Sequence, residues 1–171
     1  MIKLENESKT TALAEALASV AKNGDIIGLS GSLGVGKSSF ARAFINARCG
    51  IDEVPSPTFT LVQTYEETSI DNEIKNDIWH LDLYRINDES EVYELGLYEA
   101  LGQDIILIEW PERLSAKTLG DWLNITLDFS EEAEERAEEV WNYIDNKCNN
   151  ENKFQPGIHR SIEYSFTLAY V

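Results

Sequence analysis

Positive charge is scarce in this chain: 14 Lys and Arg face 31 Asp and Glu, a formal net charge of −17. A protein that grips nucleic acid unaided needs basic side chains to displace phosphate counterions, so independent nucleic-acid binding is disfavoured. Cysteine is also rare. Cys49 and Cys148 stand alone, with no CxxC spacing and no His cluster, which argues against a zinc site or a disulfide framework. No apolar run approaches the roughly 20 residues that span a bilayer. The opening "MIKLENESKT" lacks the basic-then-apolar order of a secretory signal. Together these absences point to the cytoplasm. No repeat and no Pro- or Gly-rich linker precedes residue 148, and 171 residues with 43% hydrophobic content suffice for one domain with its own core.

Strand-like and helix-like stretches alternate. "ESKTTALAEALASVAKNG" sets Leu13, Leu17 and Val20 at helical spacing, with a Ser or Thr as N-cap and Gly24 as the stop. "DIIGLS" reads as a short buried strand and "GKSSFARAFINARC" as the helix after it. "TFTLVQTYE" and "IWHLDLYRI" are β-rich, separated by the polar "ETSIDNEIKND". "ESEVYELGLYEAL" is helix-like with a break at Gly96. "DIILIEW", "WLNITLDF" and "HRSIEYSFTLAYV" read as further strands. Between the last two, residues 131 to 139 carry six Glu and one Arg: a solvated helix face, or an acidic surface for a basic partner. Strands apolar on both faces, alternating with helices, argue for an α/β sheet covered on two sides.

Gly31, Gly36, Lys37 and Ser38 satisfy G-x-x-x-x-G-K-[ST], and Gly34 adds a glycine inside the loop. Glycines let backbone N–H groups curl around phosphates, and the helix that starts near Lys37 turns its positive dipole end toward them. In such a loop Lys37 reaches the β and γ oxygens and Ser38 supplies a hydroxyl to Mg²⁺. A buried strand before the loop and an amphipathic helix after it are the context a phosphate-binding loop requires.

That chemistry also needs a carboxylate at the end of a neighbouring strand. Two places qualify: Glu109 ends "IILIE", and Asp82 sits in "IWHLDLYR" with Arg85 close behind. A buried carboxylate is costly without a cation or donors. Trp110 and Pro111 stiffen the strand exit, and Trp110 serves equally well as core or as ligand contact. In "VPSPTFTLV", Pro55 and Pro57 restrict the backbone around Ser56 and present Ser56, Thr58 and Thr60, which is either a switch segment reaching a γ-phosphate or a structural entry turn. His80 and His159 lack a Ser or Cys nucleophile motif and read as ordinary, partly buried residues.

The nearest match to the guanine-reading N-K-x-D is "NKCN" at 146–149, which does not end a buried strand, so GTP is disfavoured. A small-molecule or nucleoside kinase stays open, although no Arg-rich lid is visible. A nucleotide-dependent binding switch without turnover stays open too. "GSLGVGKSSF", "SPTFTLVQTY", "HLDLYRI", "ELGL" and "LIEWPERL", in this order and at these separations, resemble the bacterial TsaE family. The resemblance runs from about residue 7 to 127, and "HRSIEYSF" matches the family's closing strand.

The resemblance implies a single P-loop NTPase-type α/β domain over residues 1–171, with a mixed, mostly parallel sheet flanked by helices. It implies a cytoplasmic ATPase subunit working with TsaD and TsaB to install N6-threonylcarbamoyl on adenosine 37 of tRNAs that read ANN codons. ATP and Mg²⁺ are the implied cofactors; tRNA is met only through the complex, and the transfer chemistry belongs to TsaD. Residue by residue, Gly31, Leu33, Gly34, Val35, Gly36, Lys37, Ser38 and Ser39 would surround the phosphates. Ser38 and Glu109 would hold Mg²⁺. Glu109, Asp82 and Lys37 would be catalytic, with Thr58 and Thr60 in the switch-like segment. Glu7 and Thr10 would lie beside the base, and Arg160 near the nucleotide. Ser32 stands where the family usually has Asp, and Ser38 where Thr is commoner. An acidic insert at about 130–157 precedes the last strand.

Overall fold

The computed structural model describes residues 2–4, 6–67, 76–128 and 162–168. The acidic insert and Arg160 lie outside the described residues, as does most of the polar connection between "TFTLVQTYE" and "IWHLDLYRI".

Seven strands form one sheet: β1 (Ile2–Leu4), β2 (Ile26–Ser30), β3 (Val62–Glu66), β4 (Asp77–Asp82), β5 (Ile105–Glu109), β6 (Leu123–Asp128) and β7 (Ile162–Leu168). Their order across the sheet is β1-β7-β6-β2-β5-β4-β3. Every neighbouring pair is parallel except β3 with β4 at one edge. β2 and β5 sit centrally and are apolar on both faces, as strands sandwiched between two covering layers must be.

Alternation along the strands sorts the core into two layers. On one face α1 (Glu7–Val20) and α2 (Lys37–Cys49) pack over Ile27, Leu29, Ile78, Ile105, Leu107, Ile125 and Leu127, with Phe40 and Phe44 fully buried between. The other face buries Ile26, Leu81, Ile106 and Ile108 under two short helices, α3 (Ser90–Tyr93) and α4 (Leu97–Ala100), and under Leu114 and Leu119. Gly28 shows how close that layer comes: a Cβ there would stand 2.2 Å from the Trp122 ring, so only glycine lets Trp122 lie against the central strand.

Three boundaries differ from the sequence-based expectation. Helix α1 is capped by Asn6, whose Oδ1 accepts from the Lys9 N–H at 3.1 Å, rather than by Ser or Thr. It ends at Ala21, where the backbone turns extended, before Gly24 is reached. "TFTL" is turn rather than strand: the Leu61 N–H bonds the Pro57 carbonyl at 2.7 Å, Leu61 takes a left-handed φ of 66°, and β3 starts only at Val62. The break at Gly96 is as the sequence suggests, a left-handed residue (φ 82°) between α3 and α4.

Candidate functional site

The site forms where β2, β4 and β5 end side by side. β2 runs out at Ser30 into the loop 31–36 and α2 begins at Lys37. The backbone needs glycine here for two reasons. Gly31 has φ 132°, and a Cβ on it would meet the Leu127 carbonyl oxygen at 2.1 Å. Gly36, the N-cap of α2, is left-handed at φ 104°, and no side chain caps the helix. The first-turn N–H groups of α2 therefore remain a place for an anionic group.

Lys37 is buried at 4% exposure. Its ammonium donates to the carbonyls of Gly31 (2.7 Å) and Ser32 (2.8 Å) and lies 3.8 Å from the centre of the Trp110 ring. Burial lowers its pKa from the ordinary lysine value, against the opposing pull of Glu109, Glu112 and Asp82. The ammonium is thus short of water and held near acids, a state in which a phosphate oxygen is a favourable partner.

Glu109 ends β5 and Asp82 ends β4, paired in register. Both are almost completely buried, at 2% and 4% exposure. Each finds the donors that burial demands. Ser38 Oγ donates to Glu109 Oε2 at 2.8 Å, and His80 Nε2 lies 3.0 Å from Oε1. Asp82 accepts from Thr58 Oγ1 (2.6 Å) and from the Tyr84 N–H (3.1 Å). Beyond Glu109 the Trp110 N–H still bonds the Leu29 carbonyl at 3.1 Å. There the chain takes a left-handed turn at Trp110 (φ 62°), and Pro111 opens a 3₁₀ turn. A bulky residue in that backbone region is strained, and such residues cluster at functional sites.

These side chains enclose a cleft of about 220 Å³ lined by Leu33, Gly34, Gly36, Lys37, Ser38, Ser39, Arg42, Thr58, Asp82, Tyr84, Glu109 and Trp110. Most of the sequence-selected residues therefore converge. Gly31 contributes its carbonyl to Lys37, and Val35 is fully buried as a core side chain. Thr60 is exposed in the turn before β3 and does not line the cleft. Glu7 is exposed in the first turn of α1; Thr10 is buried there, its hydroxyl unpartnered among the described residues. Trp110, open between core and ligand contact on sequence alone, lines the cleft. His80, read from sequence as partly buried, is fully buried and bonds the candidate metal-holding carboxylate. The signal was available, since His80 stands two residues before Asp82 on one strand and so shares its face. Arg42, one helical turn after Ser38, was equally within reach of periodicity.

Oxygen donors of this kind suit Mg²⁺. Adjacent ligands of an octahedral Mg²⁺ stand about 3 Å apart, and Ser38 Oγ and Glu109 Oε2 are 2.8 Å apart. Among the described residues no group of three or more His, Cys, Asp and Glu is placed to hold a metal ion alone, so a metal here would share its shell with ligand and water.

A central, mostly parallel sheet, a glycine loop running from its middle strand into a helix, and a carboxylate from the next strand on the helix's first hydroxyl define a P-loop nucleotide-binding domain. The family profile described as "Threonylcarbamoyl adenosine biosynthesis protein TsaE" matches residues 4–138. The chain belongs to the TsaE family. It is similar to the tRNA threonylcarbamoyladenosine biosynthesis protein TsaE of Rickettsia felis, with 40% identity over 133 residues, covering 77% of this chain and 74% of that one. The protein of the same name from Bacillus subtilis is 35% identical over 123 residues, covering 71% and 73% of the two chains. Among solved structures, YdiB of Bacillus subtilis superposes with a TM-score of 0.57 at 27% identity, covering 86% of this chain and 93% of that one.

Proposed function

We propose that this chain binds and slowly hydrolyses Mg-ATP as the subunit that supports a TsaD–TsaB complex in forming N6-threonylcarbamoyladenosine at position 37 of tRNAs reading ANN codons. The observation that carries the reading is the contact between Ser38 and Glu109 beside the buried Lys37 ammonium. Family membership supplies the pathway.

In this reading the loop N–H groups and the start of α2 take the phosphates, from Leu33, Gly34, Val35 and Gly36 through Ser39. Lys37 exchanges its loop carbonyls for phosphate oxygens. Ser38 and Glu109 would hold Mg²⁺, which when bound neutralises charge on the transferring phosphoryl group. Asp82, kept in place by Thr58 and the Tyr84 N–H, orients the attacking water. Thr58, which lines the cleft, belongs to the same turn before β3 as the exposed Phe59, so in this reading a nucleotide that draws on Thr58 also shifts Phe59. Glu7 and Thr10 would lie beside the base in this reading, and Arg160 near the nucleotide. Among the described residues no helix is long and apolar enough to cross a membrane, and the cytoplasm, where tRNA is modified, is the proposed location.

The test is threonylcarbamoyladenosine formation on tRNA by same-species TsaD, TsaB and a TsaC-type enzyme, with and without this chain and ATP. Multiple-turnover product that requires this chain and disappears with Lys37→Ala supports the reading. Glu109→Ala should retain ATP yet lose hydrolysis by about 100-fold or more; product formation by that variant would assign the function to ATP occupancy. No effect of the wild-type chain on product would sink the reading and direct attention to nucleosides as phosphoryl acceptors.

A further inference from the structure

Glu109 is fixed at both carboxylate oxygens. Oε2 meets the Ser38 hydroxyl on the cleft side, and Oε1 meets His80 Nε2 at 3.0 Å in the interior. His80 is 0% exposed and does not line the cleft. A carboxylate oxygen accepts, so the imidazole donates from Nε2. The other ring nitrogen, Nδ1, has no hydrogen-bond partner among the described residues. A buried, unpaired polar atom is destabilising, and His80 pairs in register with Leu107 on β5, where an apolar side chain suits the same layer. The polar contact to Glu109 is what an apolar residue at position 80 could not supply.

We infer that His80 is a positioning residue for the cation site: its Nε2–H fixes the Glu109 carboxylate so that the second oxygen is presented to Ser38 and a divalent cation. This inference rests on the proposed reading of the cleft as a Mg-nucleotide site. His80 acts through Glu109 and touches no phosphate, so its loss weakens the Mg²⁺-dependent part of nucleotide binding and leaves the Mg²⁺-independent part alone. Partners that orient metal ligands from behind commonly alter metal affinity by about 10- to 100-fold when removed.

The experiment titrates a fluorescent ATP analogue into the full chain across a Mg²⁺ series and in EDTA, for wild type, His80→Phe and His80→Gln, with melting curves to establish folding. The glutamine amide nitrogen reaches the place of Nε2, whereas phenylalanine fills the volume without a donor. The half-saturating Mg²⁺ concentration should rise about tenfold in His80→Phe, return close to wild type in His80→Gln, and leave EDTA binding equal in all three. Should His80→Phe not fold, His80→Asn replaces it, because its amide ends short of the carboxylate and the same shift is expected. An unshifted Mg²⁺ midpoint in the donor-free variant overturns the inference, as does equal weakening with and without Mg²⁺, or a glutamine variant as impaired as phenylalanine. Wild type without Mg²⁺-dependent nucleotide binding overturns the cleft reading and the inference together.

Discussion

At the scale of single residues, the same burial that perturbs Lys37 acts in the opposite direction on Cys49. The thiol is 3% exposed at the end of α2, and burial, reinforced by the nearby Glu67 charge, pushes its pKa up to about 11 from an ordinary value of 9.0. The folded chain therefore keeps a proton that the unfolded chain loses, and stability must fall as pH rises through that window. Below the unfolded pKa there is no effect. Cys49→Ala removes core volume and should cost about 1 kcal/mol near neutral pH. It also removes the ionisable group, so the difference from wild type should move by about 2 kcal/mol in the variant's favour by about pH 11, closing the deficit and reversing its sign. Urea unfolding of both proteins across that range measures the gap. A gap that stays constant would mean the thiol ionises as readily folded as unfolded.

At the scale of elements, the N-terminus of α1 rests on one side chain. Asn6 accepts from the Lys9 N–H at 3.1 Å, and Glu7 adds an acid to the first turn, where the helix dipole favours it. Asn6→Ala should destabilise the chain by about 1 kcal/mol and speed hydrogen exchange at Lys9, whereas Asn6→Asp should keep both near wild type. An alanine variant of unchanged stability would show that packing of Leu13, Ala14 and Leu17 alone sets the helix. This cap also marks what could be read from sequence. β2, β5, α2 and the break at Gly96 were legible because each has a strong local cause: a run apolar on both faces, a glycine loop, a left-handed turn. The start of β3 was not, because "TFTL" has strand propensity and yields to the Pro57–Leu61 turn, which the Asp82 N–H then joins through the Leu61 carbonyl at 3.0 Å. Tertiary pairing decided there, and propensity lost. In the site, Lys37, Ser38, Asp82 and Glu109 declared themselves by motif and strand-end position. For His80 alternation could place it on the face of Asp82, but its contact with Glu109 exists only once β4 is laid beside β5.

The whole molecule carries a formal charge of −17, which bears on how a protein of this family meets tRNA. Binding to a polyanion draws its strength from counterions released by Lys and Arg, with an affinity that falls steeply with salt. Here two of the cations near the cleft, Lys37 and Arg85, are already engaged. Lys37 sits on loop carbonyls among Asp82, Glu109 and Glu112, and Arg85 lies 4.4 Å from the centre of the Phe59 ring. With acids outnumbering bases 31 to 14, the long-range field repels a phosphate backbone, and at low salt it repels more strongly because screening is weaker. The chain alone should therefore bind tRNA no tighter than about 100 µM at physiological salt, and lowering the salt should not rescue binding. Fluorescence anisotropy of labelled tRNA, titrated with this chain alone and then with TsaD and TsaB added, measures both. Submicromolar binding by the chain alone, weakening steeply with salt, would mean that its few basic residues form a phosphate-tracking surface after all. Binding that appears only with the partners would assign RNA contact to them and leave this chain the nucleotide.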